Sequence, residues 1–197
     1  DSQGADALRW YLFTVSSPWF ARRFSQDHID EVIRKFMLTL WNTYAFYTLY
    51  ANIDGFDPRD HSVPVEQRSL MDRWILSQLN LLVKAVTEGL DQYDAFGTGR
   101  RISDFVDELS NWYVRRSRRR FWKSEEDNDK VAAYLTLYEC LVTVSKLLAP
   151  FTPFLAEEIY RNLVAERYAD APESVHLCDW PEADETLMDT DLSFRMG

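Results

Sequence analysis

Apolar side chains recur every three or four residues in six stretches of this sequence, which is the spacing of one face of an α-helix. Glycine is scarce, at 6 of 197 residues, so few tight turns are available for a sheet-rich fold. The sequence therefore predicts an all-α chain. The clearest stripes are Ile29, Ile33, Phe36, Leu40, Tyr44 and Tyr47 in the second stretch, and Met71, Trp74, Ile75, Leu79, Leu82, Val83 and Val86 in the third.

Helix start and stop signals divide these stretches. Ser69 and Asp72 have the spacing of a capping box at the start of the third helix, and Asp27 is the expected N-cap of the second. Thr152 followed by Pro153 predicts the start of the sixth helix. The helices are expected over about 5–13, 27–52, 70–89 and 95–122, then from the acidic stretch 125–129 to Pro150, and from 153 onward.

Helices of this length joined by short loops predict an antiparallel bundle. The helical pattern decays after Tyr168, where we expect a short irregular C-terminal appendage. Within it, 174–180 is expected to form a short extended piece and 187–196 a final helix.

The composition restricts the setting of the chain. Its two cysteines, Cys140 and Cys178, show no pairing pattern, which favours a reduced, cytoplasmic location. No run of 18 or more apolar residues was found, so no membrane partner is expected. No signal peptide is evident, and a chain that begins at Asp1 rather than Met suggests a longer parent. The net charge of −10 argues against a nucleic-acid partner.

A local cluster of positive charge opposes that last conclusion. Six of the 22 basic residues lie between Arg115 and Lys123, and like charges this close on a helix repel one another. A phosphate backbone would relieve the repulsion, because the arginine fork matches phosphate oxygens. Trp112, Tyr113 and Trp122 would then be available to stack on unpaired bases. The predicted RNA-binding residues are Arg115, Arg116, Arg118, Arg119, Arg120, Trp122 and Lys123.

On a regular helix, one flank of this cluster carries Arg115, Arg118, Arg119 and Trp122. Arg116 and Arg120 share another flank and continue the line of the inner stripe of the fourth helix, which is Ile102, Phe105, Val106, Leu109, Trp112 and Tyr113. An alternative is that Glu108 and the acidic stretch 125–129 neutralise the cluster internally. Arg22–Arg23 and Arg100–Arg101 are weaker basic pairs, and Arg101 is spaced to share a strip with Arg115.

Catalytic patterns are not evident. The three histidines, His28, His61 and His176, are scattered, whereas a metal site needs three or four ligands. Neither a Ser/His/Asp arrangement nor a glycine-rich phosphate loop occurs. We therefore expect no catalytic residue, no metal and no cofactor in this chain.

Several short motifs are spread over the chain. They are 4–11 (GADALRWY), 16–19 (SSPW), 40–43 (LWNT), 72–77 (DRWILS), 149–160 (APFTPFLAEEIY), 174–177 (SVHL) and 179–181 (DWP). Together they resemble class I isoleucyl-tRNA synthetases, in the segment that follows the catalytic domain, in a pattern shared with valyl and leucyl relatives. Residues 110–116 (SNWYVRR) and 118–122 (RRRFW) are similar to the isoleucyl form.

The resemblance implies a bundle of the class I synthetase anticodon-binding type that receives the anticodon stem and loop of tRNA. It implies a parent that charges isoleucine with ATP and Mg²⁺ and edits valine, with catalytic and editing domains as partners in the same chain. The catalytic motifs of the family, HIGH and KMSKS, are absent here. Residues 1–24 would end the segment linking the catalytic domain to the bundle, 25–168 would form the bundle, and 169–197 a truncated extension. A valyl or leucyl enzyme, or a helical interaction module that binds no RNA, are the alternatives.

Overall fold

The computed structural model describes residues 4–17, 19–21, 24–123 and 127–192, and this part of the chain contains helices and turns but no strand. The predicted all-α fold is thus confirmed. The helices are α1 (Ala5–Thr14), α2 (Gln26–Val32), α3 (Leu38–Asp54), α4 (Leu70–Asp91), α5 (Ala95–Asp107), α6 (Arg115–Phe121), α7 (Asn128–Leu148) and α8 (Pro153–Tyr160). The described residues also form three π-helical turns. Ile33–Met37 connects α2 to α3, Glu108–Val114 connects α5 to α6, and Arg161–Ala165 extends α8.

The core is aromatic and lies along the inner faces of the helices. Trp10 of α1 stacks on Phe36, with ring centroids 3.9 Å apart, and meets Phe151 edge-on. Because α4 and α5 are joined by a short turn, they pack side by side, and α7 packs against α8 in the same way. The stripes predicted for α3 and α4 supply much of this core, with Leu40, Ile75 and Val86 fully buried.

The helix starts follow the sequence signals only in part. The capping box of Ser69 and Asp72 is confirmed. Asp27 is not the N-cap of α2, since the preceding Ser25 holds that position and Asp27 lies in the first turn. Thr152 stands at the N-cap of α8 but makes no side-chain cap. Asp6 of α1 takes over, because its carboxylate accepts a hydrogen bond from the Leu155 amide at 2.7 Å.

The π-helical turn Glu108–Val114 corrects the faces expected for α6. A π turn holds more residues than an α turn, so the side chains that follow it rotate by about one position, roughly 100°. Ser117 and Phe121 are therefore buried on the core side, whereas Arg116 is exposed. The same rotation takes Arg115 off the strip that a regular helix would share with Arg101.

The C-terminal appendage lies along the outer face of α4. Four polar side chains of α4, spaced about one turn apart, each contact one residue of the appendage at 2.8–2.9 Å. Trp180 Nε1 donates to Thr87 Oγ1, and Lys84 donates to Glu185. The backbone amides of Asp184 and Asp189 donate to Asn80 Oδ1 and Ser77 Oγ.

The local structure of the appendage follows the sequence-based expectations only in part. The extended piece predicted for 174–180 is wrong at Val175–Leu177, which form a 3₁₀ turn. Of the final helix predicted for 187–196, residues 190–192 are helical, and 193–196 fall outside the described residues.

α1 belongs to the bundle by its packing. The Arg9 guanidinium donates to the carbonyl oxygens of Phe151 and Pro150, at 3.0 and 2.8 Å. These contacts add to the Trp10 stack and the Asp6 cap. That residues 1–24 link the bundle to an upstream domain stays a prediction.

α7 is a long, apolar helix, and the expectation that the chain has no membrane partner stays a prediction. By length and composition it is apolar enough to cross a membrane, with a mean hydropathy of 1.4. However, 72% of that window is buried inside the bundle, which is the situation of a core helix.

Candidate nucleic-acid interface

Helix α6 carries the basic cluster and turns most of it toward solvent. Its inner side is anchored by Phe121, whose ring meets Phe46 of α3 and Tyr134 of α7 edge-on at 5.1 and 4.9 Å. Ser117, one turn earlier, is also buried. With these two positions inward, the remaining arginines point outward, and those exposed are Arg115, Arg116, Arg118 and Arg119.

Among the described residues, the exposed guanidinium groups have no acidic partner. Within residues 4–17, 19–21, 24–123 and 127–192, no carboxylate forms an ion pair with Arg115, Arg118 or Arg119. Arg116 lies over the ring of Trp112, 3.6 Å from its centroid, a cation–π contact that leaves its charge uncancelled. α6 therefore presents four guanidinium groups whose mutual repulsion an anion would relieve. We refer to Arg115, Arg116, Arg118 and Arg119 as the arginine face.

Arg120, also predicted to bind RNA, differs from its neighbours because its guanidinium is held by partners within the bundle. Its two terminal nitrogens donate to the two carboxylate oxygens of Asp72 at 2.7 and 2.6 Å, and Nη2 also reaches the Asp129 carbonyl at 2.8 Å. Asp72 is completely buried. Burial lowers the pKa of Arg120, but the hydrogen bond to Asp72 and the nearby negative charges together outweigh this, so the pKa lies above its ordinary value. A guanidinium held in this way has no free edge for a phosphate.

Tyr113 is part of the same buried cluster and is not available for stacking on bases. Its hydroxyl donates to Asp72 at 2.6 Å, and the residue has no exposed surface. Burial, and then the charge of Asp72, raises the pKa of the Tyr113 hydroxyl. Trp112 is covered on one face by Arg116. Of the three aromatic residues considered, Trp122 is the one that offers an open ring, with 54% of its surface exposed.

Lys123 lies at the end of the cluster and is paired locally. Its ammonium group lies 3.0 Å from both Asp127 and Asp129. Its hydrogen bonds to Asp129 and then Asp127 raise the pKa of Lys123. Ion pairs this exposed are weak, so Lys123 remains able to exchange its partners.

Internal neutralisation, the alternative reading of the cluster, therefore applies to Arg120 and Lys123 alone among the described residues. Glu108 is half-buried in a groove between α4 and α5. Burial, and then the charges of Asp104 and Asp107, raise the pKa of its carboxyl. Glu125 and Glu126, in the acidic stretch, fall outside the described residues, as do Arg22 and Arg23. Arg100 and Arg101 are exposed on α5, where Arg100 lines the cavity beside α1 and α2 and Arg101 lines a groove beside α4.

A second buried pair fixes the far end of α6, and sequence patterns did not reveal it. Lys130 of α7 is almost fully buried and lies 2.6 Å from Asp54 at the end of α3. It also donates to the Lys123 carbonyl at 2.7 Å, which ties down the end of the arginine helix. The partners of Lys130 are 76 and 7 residues away in sequence, so spacing does not predict the pair. The one indication in the sequence is a charged residue at a core position of α7.

The described residues contain no group of three or more His, Cys, Asp or Glu side chains that could hold a metal. A cavity of about 540 Å³ lies between α1, α2 and α5, and both charge signs line it. Its charged and titratable lining residues are His28, Glu31, Lys35, Arg100 and Asp104. It is separate from α6 and has no arrangement specific for an anion.

Comparison with known proteins points to one family. The family described as "Anticodon-binding domain of tRNA ligase" matches residues 72–196. The chain is 59% identical over 192 residues to the isoleucine–tRNA ligase of Dehalococcoides mccartyi, 53% over 195 residues to that of Clostridium novyi, and 51% over 194 residues to that of Thermus thermophilus. These alignments cover 98–99% of this chain but 18–19% of each relative. The chain belongs to the family of anticodon-binding domains of tRNA ligases.

Proposed function

We propose that this chain is the anticodon-binding part of an isoleucine–tRNA ligase and that it holds the anticodon stem-loop of isoleucine tRNA on the arginine face of α6. The observation that carries the proposal is the set of four exposed guanidinium groups without carboxylate partners in the described structure. The similarity to isoleucine–tRNA ligases along nearly the whole chain supports the amino acid.

The chemistry of the face suits an RNA loop. Guanidinium groups bind phosphate oxygens in a two-pronged geometry, and the open ring of Trp122 gives an unpaired base a surface on which to stack. The net charge of −10 is compatible with this role, because the acidic residues lie mostly elsewhere and repel RNA from the other faces. Electrostatics would thus orient the tRNA toward α6.

The proposed parent supplies the chemical activity. It would activate isoleucine with ATP and Mg²⁺, transfer it to tRNA, edit valine and act in the cytoplasm, while this chain contributes binding alone. A run of exposed apolar side chains on and after α1 supports packing against the catalytic and editing parts of that parent. These side chains are Leu8, Leu12, Val15, Trp19, Phe20 and Phe24.

The salt dependence of tRNA affinity tests the proposal. If about four phosphates are neutralised, the logarithm of the binding constant should fall with the logarithm of salt concentration at a slope of roughly −3. Replacing Arg118 and Arg119 with Ala should reduce the steepness by roughly one unit for each lost contact. The matched control is Lys84→Ala with Arg161→Ala, which removes two exposed cations from other helices.

A slope that is unchanged in the Arg118/Arg119 variant, or reduced equally in the control, would contradict the assignment of the arginine face. Absence of any tRNA affinity at low salt would instead favour the protein-interaction alternative. Aminoacylation by the parent with isoleucine, valine and leucine separates the isoleucyl enzyme from its valyl and leucyl relatives.

A further inference from the structure

Helix α3 is apolar on two opposite faces. The inner face, with Leu40, Tyr44 and Tyr47, packs into the core. The outer face has its own stripe, Leu38, Trp41, Ala45 and Leu49, with intervals of three, four and four residues. Leu38, Trp41 and Leu49 are 45%, 38% and 55% exposed. We call these four residues the outer stripe.

The segment also lacks charge. Residues 36–53 contain no Asp, Glu, Lys or Arg over 18 positions, in a chain where 27% of residues are charged. α4 provides the contrast within the same bundle, since its exposed residues include the charged Arg73, Lys84 and Glu88. An outer helix of a soluble bundle has a charged face like that of α4, whereas a helix apolar all round is typical of an interior position.

From this we infer that the outer stripe of α3 is a docking surface for another part of the ligase polypeptide, so that α3 lies between two packed layers in the parent. The inference rests on the proposed parent. The relatives supply the room for such a layer, since the chain spans only 18–19% of their length. The occupant would present aliphatic and aromatic side chains without charge, which is the chemistry that matches an uncharged stripe.

Two other occupants fit the surface less well. RNA binding draws on cations for phosphate, and residues 36–53 provide none. Two of the three exposed large side chains of the stripe are aliphatic, whereas bases stack on aromatic rings or arginine. A second copy would bring together two chains that each carry a net charge of −10. The outer stripe lies opposite the core. α6 contacts α3 on a different side, through Phe46 and Phe121, so the stripe does not face the arginine helix.

Thiol accessibility tests the inference. A Leu49→Cys reporter is placed in a Cys178→Ser background, where the remaining cysteine, Cys140, is buried. Its rate of modification by a maleimide is measured in this chain and in the parent polypeptide. A Leu70→Cys variant, at a position of similar exposure on α4, is the control, and Leu38→Cys is a second reporter.

We expect Leu49→Cys and Leu38→Cys to react at least about tenfold more slowly in the parent than in this chain, with the control changing much less. Equal rates in the two contexts would overturn the inference. Protection that appears only on adding tRNA would assign the stripe to RNA, and protection that grows with the concentration of this chain would assign it to a second copy; either result also overturns it. The tRNA affinity of the 197-residue chain is measured separately, so failure here is distinguishable from failure of the proposed function.

Discussion

Arg120 of α6 and Asp72 of α4 form a two-pronged ion pair across the bundle, with nitrogen–oxygen distances of 2.7 and 2.6 Å. The same carboxylate accepts hydrogen bonds from the Tyr113 hydroxyl and from Ser69 at the start of α4. Arg120 also reaches Asp129 in the first turn of α7. The Asp72–Arg120 pair thus links α4, α6 and α7, and it holds α6 in the rotation that the π-helical turn Glu108–Val114 gives it.

The first prediction concerns this ion pair. Replacing Asp72 with Ala should lower the free energy of unfolding by about 3–5 kcal/mol, because it leaves the Arg120 charge largely buried without its main partner. Replacing both residues, Asp72→Ala with Arg120→Met, should cost less than the sum of the single changes. Urea unfolding of the four proteins in this cycle gives the coupling energy. Strict additivity would show that the pair does not act as a unit. As the control, Arg119→Ala on the exposed side of α6 should change the free energy of unfolding of the 197-residue chain by no more than about 0.5 kcal/mol.

The second prediction separates stacking from charge at the RNA-binding surface. Trp122→Ala should weaken tRNA binding by about 1–3 kcal/mol, because a base loses its stacking surface, while the slope against salt stays the same. Trp122→Phe, which keeps an aromatic face, should recover part of the loss. Binding titrations at several salt concentrations measure both quantities. A change in slope without a loss of affinity at fixed salt would be the opposite of the expected result.

The third prediction is a pH dependence that originates at Glu108. Burial, and then Asp104 and Asp107, raises the pKa of this carboxyl above its ordinary value of 4.5, so the folded state holds the proton more tightly than the unfolded state. Ionisation of Glu108 therefore destabilises the fold, a cost that is absent at pH below the unfolded pKa and complete at pH above the folded pKa. Glu108→Gln should accordingly raise the melting temperature at pH 7 and leave it nearly unchanged at about pH 3.5.

Thermal unfolding at the two pH values checks this, with Glu88→Gln, an exposed position on α4, as the control. A Glu108→Gln variant that gains the same stability at both pH values would show that its effect comes from packing rather than from charge.

The fourth prediction concerns the contact between α1 and α5. A Cβ placed on Gly99 would lie 2.6 Å from Cγ2 of Thr14, too close for two carbon atoms. Gly99→Ala should therefore destabilise the fold by about 1–3 kcal/mol, despite the better helix propensity of alanine. Thr14→Ser removes the clashing methyl group and keeps the hydroxyl that donates to the Trp10 carbonyl. The double variant should recover most of the stability in urea unfolding. If it does not, the contact is not the cause of the loss.

Local patterns in the sequence were sufficient for the helical fold. The stripes of α3 and α4 and the Ser69–Asp72 capping box depend on residues a few positions apart, so periodicity and spacing identify them. The basic cluster of α6 was visible for the same reason. The cap of α8 was not, because its true acceptor, Asp6, lies 149 residues away from the amide that it binds.

The sequence by itself determined that the chain is a helical bundle and that one helix concentrates positive charge. Tertiary structure decided which of those charges are available to a ligand. A π-helical turn before α6 rotated Arg116 out of the core stripe, and Asp72, 48 residues away in sequence, drew Arg120 into a buried ion pair. Helical periodicity counts residues along one regular helix, whereas burial and charge pairing depend on which distant side chain packs alongside, and that partner is set only when the bundle assembles.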